Sequence, residues 1–225
     1  YGDRSREEII SLTRDSVNFL LSKDVKIIIF GCNTATAVAM STIRKEIPLQ
    51  IIGVVQSGAL AAARTTETKN VAVIGTKATV DSHSYLKEIQ YRDPEIKVSE
   101  FAQPKLAPLA EEDPDEDIKN AVVSESLTPL KNADYDTLVL GCTHYPLLRE
   151  EIVAVVGQDK KIVDPADQVA QYTYNVLRRD DLFAESTAPV KHDYYTTGEA
   201  KKFTEITRQW MNDDTIIGHH VDAED

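Results

Sequence analysis

The chain of 225 residues carries only two cysteines, and they stand in matching surroundings. One lies in Ile27-Ile28-Ile29-Phe30-Gly31-Cys32-Asn33-Thr34, the other in Thr137-Leu138-Val139-Leu140-Gly141-Cys142-Thr143-His144. Each context reads as an apolar strand, a glycine, a cysteine, and small or hydrogen-bonding residues that open a helix. A lone buried cysteine is ordinarily a small hydrophobe, but two in one repeated context point to chemistry. Inverting a stereocentre requires that one face of a carbon lose a proton and the opposite face gain one. A thiolate and a thiol facing each other across a substrate do both, and exchange roles in the reverse direction. A free thiol has a pKa of about 8.5, so help from adjacent helix N-termini yields thiolate near neutral pH.

Other uses of these thiols fit less well. A structural disulfide is disfavoured in a chain read as cytoplasmic. Zinc takes four ligands, or three and a water; Cys142 and His144 supply two at an unhelpful spacing and no Cys-x-x-Cys occurs, so no metal is expected. Asn33, Thr34, Thr143 and the backbone N–H groups at the helix starts can hydrogen-bond a carboxylate without a fixed cation. A third cluster, Gly75-Thr76-Lys77-Ala78-Thr79-Val80, also follows a strand end. Each hydroxyl alone reads as a helix cap. Together they matter because open parallel sheets bind ligands at the carboxyl ends of their strands.

The elements that must position these residues follow from periodicity. An amphipathic helix is predicted over Arg6–Leu21, with Ile9, Ile10, Leu12, Val17, Leu20 and Leu21 on its apolar face. Val25–Phe30 is continuously apolar but for Lys26, as a strand covered on both faces would be. Further strands are predicted at Leu49–Val55, Val71–Ile74, Ile96–Phe101, Thr137–Leu140, Lys161–Val163 and His192–Thr196. Helices are predicted from Gly58, over Thr79–Tyr91, after the acidic stretch Glu111–Asp117 to about Asn132, over Leu147–Val156, after Pro165, and over Glu199–Met211. Repeated β-α units imply right-handed crossovers and an α/β fold with a mostly parallel, doubly wound sheet. The acidic stretch Glu111–Asp117 reads as a solvated loop and helix start.

A formal net charge of −12 disfavours nucleic acid and anionic membranes as partners, since both call for a basic footprint. No apolar run approaches the roughly 18 residues of a membrane span. A cytoplasmic protein is expected. The chain opens on Tyr1-Gly2-Asp3 without an initiator Met, so a preceding segment is expected to be missing.

The quoted motifs resemble the glutamate racemase family, within the aspartate/glutamate racemase superfamily. The resemblance is carried by Gly31-Cys32-Asn33-Thr34-Ala35-Thr36-Ala37 and Gly141-Cys142-Thr143-His144-Tyr145-Pro146-Leu147-Leu148. The segment Ile74-Gly75-Thr76…Thr79-Val80…Ser82…Tyr85, Pro104-Lys105-Leu106-Ala107-Pro108-Leu109 and Tyr195-Thr196-Thr197 add to it. It implies cofactor-independent interconversion of L- and D-glutamate, with D-glutamate going to peptidoglycan. By similarity Cys32 would take the α-proton of D-glutamate and Cys142 that of L-glutamate. His144 would assist Cys142, with Glu111 nearby. Tyr1, Gly2, Asn33, Thr34, Thr76, Thr79, Thr143 and His144 would line the substrate site. His83, His192, His219 and His220 read as ordinary surface residues.

The resemblance also implies two α/β domains related by a pseudo-twofold axis, with the active site between them. Residues 1–55 and 165–225 would form the first and 56–164 the second; a homodimer would be the assembled form. Family members begin with a strand and an Asp-Ser-Gly loop upstream of a Pro-Tyr-Gly segment, of which Tyr1-Gly2 would be the end. The Asp and Ser roles are therefore assigned to no residue here. Gln56-Ser57-Gly58 lacks the family's usual Pro, and Gln103 stands where Cys is frequent. The alternatives are an aspartate or hydantoin racemase of the same superfamily, or a truncated relative that binds without turnover.

Overall fold

Ser5 starts the first helix by closing a capping box. Its hydroxyl accepts the Glu8 N–H at 3.3 Å, and the Glu8 carboxylate accepts the Ser5 N–H at 2.9 Å. The computed structural model, which describes residues 1–222 except Ser186 and Ala188, shows α1 at Arg6–Leu21, as predicted. Ile9, Thr13 and Val17, four apart, form its buried stripe.

The strand predicted from Val25 is shorter than expected: β1 is Ile28–Phe30, and Ile29 is 44 % exposed, so one face of the apolar run is uncovered. Next come α2 (Asn33–Val38), α3 (Met40–Ile43) and β2 (Ile51–Gly53), which pairs with β1 in parallel. The following helix, α4 (Val54–Thr65), begins four residues before the predicted Gly58. Gly53 ends the strand where Thr36, Met40 and Gln56 close in; a Cβ there would lie 2.5–2.8 Å from them.

β3 (Asn70–Gly75) leads to α5 (Lys77–Asp81) and α6 (Ser84–Arg92). A single helix was expected here. The Ser82 hydroxyl instead donates to the Thr79 carbonyl at 2.6 Å and accepts the Ser84 N–H at 3.1 Å, and His83 turns left-handed at φ 53°. Short polar side chains compete for the backbone in this way and interrupt helices. β4 is Lys97–Ala102. The helix α7 (Leu106–Glu112) was not anticipated; it precedes α8 (Glu116–Ser126), which gives way to a 3₁₀ turn over Thr128–Asn132, where Pro129 lacks an N–H to continue the ladder. β5 (Thr137–Gly141) is followed by a 3₁₀ turn at Tyr145–Leu148, α9 (Arg149–Val156), β6 (Lys161–Val163) and α10 (Pro165–Arg179). β7 (Tyr194–Thr196), α11 (Ala200–Met211) and β8 (Gly218–His220) complete the order.

Every pairing among the described strands is parallel: β1-β2, β4-β3-β5-β6 and β7-β8. The central sheet shows why its strands read as unbroken apolar runs. Ala72, Ile74, Leu138 and Leu140 point to one face, with Leu106, Val123 and Ile152 of α7, α8 and α9. Val71, Val73 and Val139 point to the other, with Val55 and Ala59 of α4 and Tyr85 and Ile89 of α6. Successive side chains alternate faces, and both faces are covered. A third cluster joins α1, β1, α2 and α3 through Ile9, Ile28, Phe30, Val38 and Ile43. The parallel α/β class read from the sequence is therefore the observed one. No described helix is long and apolar enough to cross a membrane.

Asp136, just before β5, ties the sheet to the loop after α4. Burial works to raise its carboxyl, but the Thr66 and Thr137 hydroxyls and the Glu67 and Thr68 N–H groups outweigh burial and hold it well below the usual carboxylate range. A carboxyl with a depressed folded-state pKa adds stability above its unfolded value of about 3.9, and loses it as pH falls below that. Asp136→Asn should therefore cost about 2 kcal/mol at pH 7, with the gap to wild type closing towards pH 2. Urea melts at both pH values check this; an equal gap at both would contradict it.

Candidate active site

Cys32 follows β1 and forms the N-cap of α2, where its sulfur accepts the Ala35 N–H at 3.5 Å. That N–H meets the sulfur at the first turn of the helix. Cys142 follows β5 directly and caps no α-helix; a 3₁₀ turn comes next. The two mouths, alike in sequence, thus differ in local structure. Cys142 is only 7 % exposed, and burial pushes its thiol up to about 11 against the pull of the His144 N–H. The nearby Cys32 and Glu111 push in the same direction as burial. At neutral pH Cys142 rests as a thiol.

Both cysteines line a single cavity of about 570 Å³. Its wall includes Tyr1, Gly2, Asn33, Thr34, Thr76, Glu111, Thr143 and His144. A larger cavity of about 670 Å³, between β2, α4 and α10, contains neither thiol.

A relay backs Cys142. His144 Nδ1 is 3.7 Å from the Cys142 sulfur, and its Nε2 is 3.0 Å from the Glu111 carboxylate. A carboxylate at Nε2 selects the tautomer protonated there, which leaves Nδ1 to accept the thiol proton. Glu111 reaches this position because α7 ends beside the turn that follows Cys142.

Hydroxyls organise the Cys32 side. Thr34 and Thr76 are 2.9 Å apart through their oxygens, Thr76 donates to Thr79 at 3.0 Å, and Thr76 caps α5 by accepting the Thr79 N–H. Thr79 is fully buried and outside the cavity wall, so it braces Thr34 and Thr76 from behind, unlike the lining position expected for it. Tyr85, kept protonated by burial, donates to Asn33 Oδ1 at 2.7 Å and leaves the Asn33 amide donors for the cavity.

Residues not singled out from the sequence also line the cavity: Asp3, Lys77, Pro104, Ala107, Pro108, Glu112 and Lys202. Lys202 comes from α11, far along the chain, and no local motif signals its approach. Lys77, Pro104, Ala107 and Pro108 lay within quoted motifs, so their segments were legible though their roles were not. Among the described residues, no three His, Cys, Asp or Glu side chains are grouped as a metal site.

Comparison with known proteins places the chain in a family. Residues 3–173 match the sequence profile of the family described as Asp/Glu/Hydantoin racemase. A glutamate racemase of Lactobacillus johnsonii is 97 % identical over 225 residues, covering 100 % of this chain and 85 % of that protein. A glutamate racemase of Lactobacillus acidophilus is 60 % identical over the same 225 residues, 84 % of its length. Among solved structures, a glutamate racemase isoform from Bacillus anthracis superposes with a TM-score of 0.94 at 35 % identity, covering 100 % of this chain and 84 % of that one. A glutamate racemase from Francisella tularensis in complex with D-glutamate gives 0.91 at 26 % identity, covering 100 % and 84 %. The chain, with paired thiols at the mouths of parallel strands, belongs to the Asp/Glu/hydantoin racemase family.

Proposed function

We propose that the protein interconverts L- and D-glutamate by two-base proton transfer without a cofactor. The observation that carries the proposal is the sharing of one cavity by Cys32 and Cys142, with His144 and Glu111 behind the second thiol. With D-glutamate bound, the Cys32 thiolate takes the α-proton and the Cα–H electron pair stays on carbon as a carbanion. The Cys142 thiol then gives its proton to the opposite face. The product is L-glutamate, with Cys32 now a thiol and Cys142 a thiolate. With L-glutamate the roles reverse, and His144 Nδ1 draws off the Cys142 proton beforehand. Asn33, Thr34, Thr76 and Thr143 hydrogen-bond the substrate carboxylates. The L. johnsonii relative's name and the D-glutamate complex of the F. tularensis relative support glutamate as substrate.

We further assign residues 1–55 and 165–225 to one α/β domain and 56–164 to the other, with a pseudo-twofold relation and the cavity between. The assignment is supported by the places where the chain crosses. α4 and α10 pack together there, close enough that a Cβ on Gly58 would lie 2.9 Å from Pro165. The family resemblance supports a cytoplasmic homodimer that supplies D-glutamate for peptidoglycan.

The test is a panel of L-amino acids, including aspartate, with loss of ellipticity followed by circular dichroism. Decay confined to glutamate is expected. Decay with aspartate but not glutamate would reassign the substrate, and no decay with any would leave a binding protein.

Glu111→Gln should lower kcat about tenfold, because an amide replaces a charged acceptor at His144 Nε2. Steady-state racemisation checks this; an unchanged kcat would remove Glu111 from the relay.

A further inference from the structure

We propose that Trp210 is a positioning residue for His144, so that helix α11 completes the half-site working through Cys142. The inference rests on the two-thiol reading above. α11 has no buried residue, yet it meets the active site at three points. Lys202, near its start, lines the cavity. Gln209, near its end, donates to the Asp113 carboxylate at 2.8 Å, just past the helix that carries Glu111. The Trp210 indole meets the His144 imidazole at 5.4 Å between ring centroids, with the planes 87° apart.

The other two contacts of that imidazole are polar ones at its nitrogens, Nδ1 to the Cys142 sulfur and Nε2 to Glu111. Acting at the two nitrogens alone, they leave the ring some freedom to rock. A ring packed across it removes this freedom, and proton transfer with the Cys142 sulfur depends on the ring's orientation. Trp210 is 38 % exposed, so core packing is not its main role.

The test compares Trp210→Ala and Trp210→Phe in the purified protein, with Cys142→Ala alongside. Edge-to-face ring contacts are modest, so the alanine variant should lose about tenfold in kcat/KM. The loss must be equal for both enantiomers, since their equilibrium constant is unity. Isotope effects separate the two transfers. With α-deuterated L-glutamate, whose deuteron goes to Cys142, the effect on kcat/KM should rise. With α-deuterated D-glutamate, whose deuteron goes to Cys32, it should fall.

The phenylalanine variant, which keeps a ring against His144, should stay within about threefold of wild type. Should the alanine variant melt early, Trp210→Leu takes its place as a bulky side chain without a ring. Unchanged isotope effects, a rate within twofold of wild type, or a phenylalanine variant as slow as the alanine one would each overturn the role of Trp210. If Cys142→Ala itself stays active, the two-thiol reading fails instead.

Discussion

Replacing Cys142 with alanine is expected to abolish turnover of both enantiomers, and Cys32→Ala should do the same. Each proton transfer relies on a positioned acid or base worth about 10²–10⁴ in rate. Racemisation needs both transfers in every cycle, so one missing thiol stops L- and D-glutamate alike. The unequal settings of the sulfurs sharpen the expectation. Cys32 has a backbone donor and a helix start beside its sulfur, whereas Cys142 is buried and held as a thiol. Neither can stand in for the other. A hydroxyl is a far weaker acid than a thiol, so Cys→Ser at either position should recover little. Racemisation near the wild-type rate in either alanine variant would contradict the scheme.

The second large effect is expected at Gly141. A Cβ there would lie 2.6 Å from the Ile74 carbonyl oxygen and 3.2 Å from the Tyr85 ring. The nearer atom is backbone of the neighbouring strand, in register one step before Gly75↔Gly141, so β3 and β5 would have to part. Forcing a methyl into such a core costs about 1–3 kcal/mol, or roughly 2–12 °C in melting temperature at this chain length. Because Cys142 is the next residue, Gly141→Ala should also lower kcat in the fraction that stays folded. Thermal unfolding and racemisation of the same preparation check both parts, and a melting temperature equal to wild type would show that the strands yield without cost.

The same comparison shows what the sequence could and could not disclose. Gly31 and Gly141 occupy equivalent places in the two motifs, yet a Cβ on Gly31 meets nothing within 4 Å. Local pattern marked both strand ends; only the packing of Ile74 and Tyr85 distinguishes the glycines. The central strands were legible because burial on both faces leaves an unbroken apolar run, as in Leu138-Val139-Leu140. β8 was not, since Gly218-His219-His220 is short, polar and half exposed.

The broken helix at His83 turned on a serine hydroxyl competing with the backbone, which helical periodicity does not register. In the site, Cys32, Cys142, His144 and Glu111 could be picked out as motif residues. Lys202 and Trp210 could not, because α11 approaches the cavity from a part of the chain more than fifty residues beyond His144.

The most direct test of two thiols acting on opposite faces is the fate of the α-proton during the first fraction of conversion in D₂O, followed by NMR or mass spectrometry. Starting from L-glutamate, Cys142 removes protium and Cys32 delivers deuterium from its solvent-exchanged thiol. The D-glutamate first formed should therefore be deuterated while the remaining L-glutamate keeps its protium. Protium retained in the product, or deuterium entering the unreacted substrate as fast as product forms, would mean that one base serves both faces.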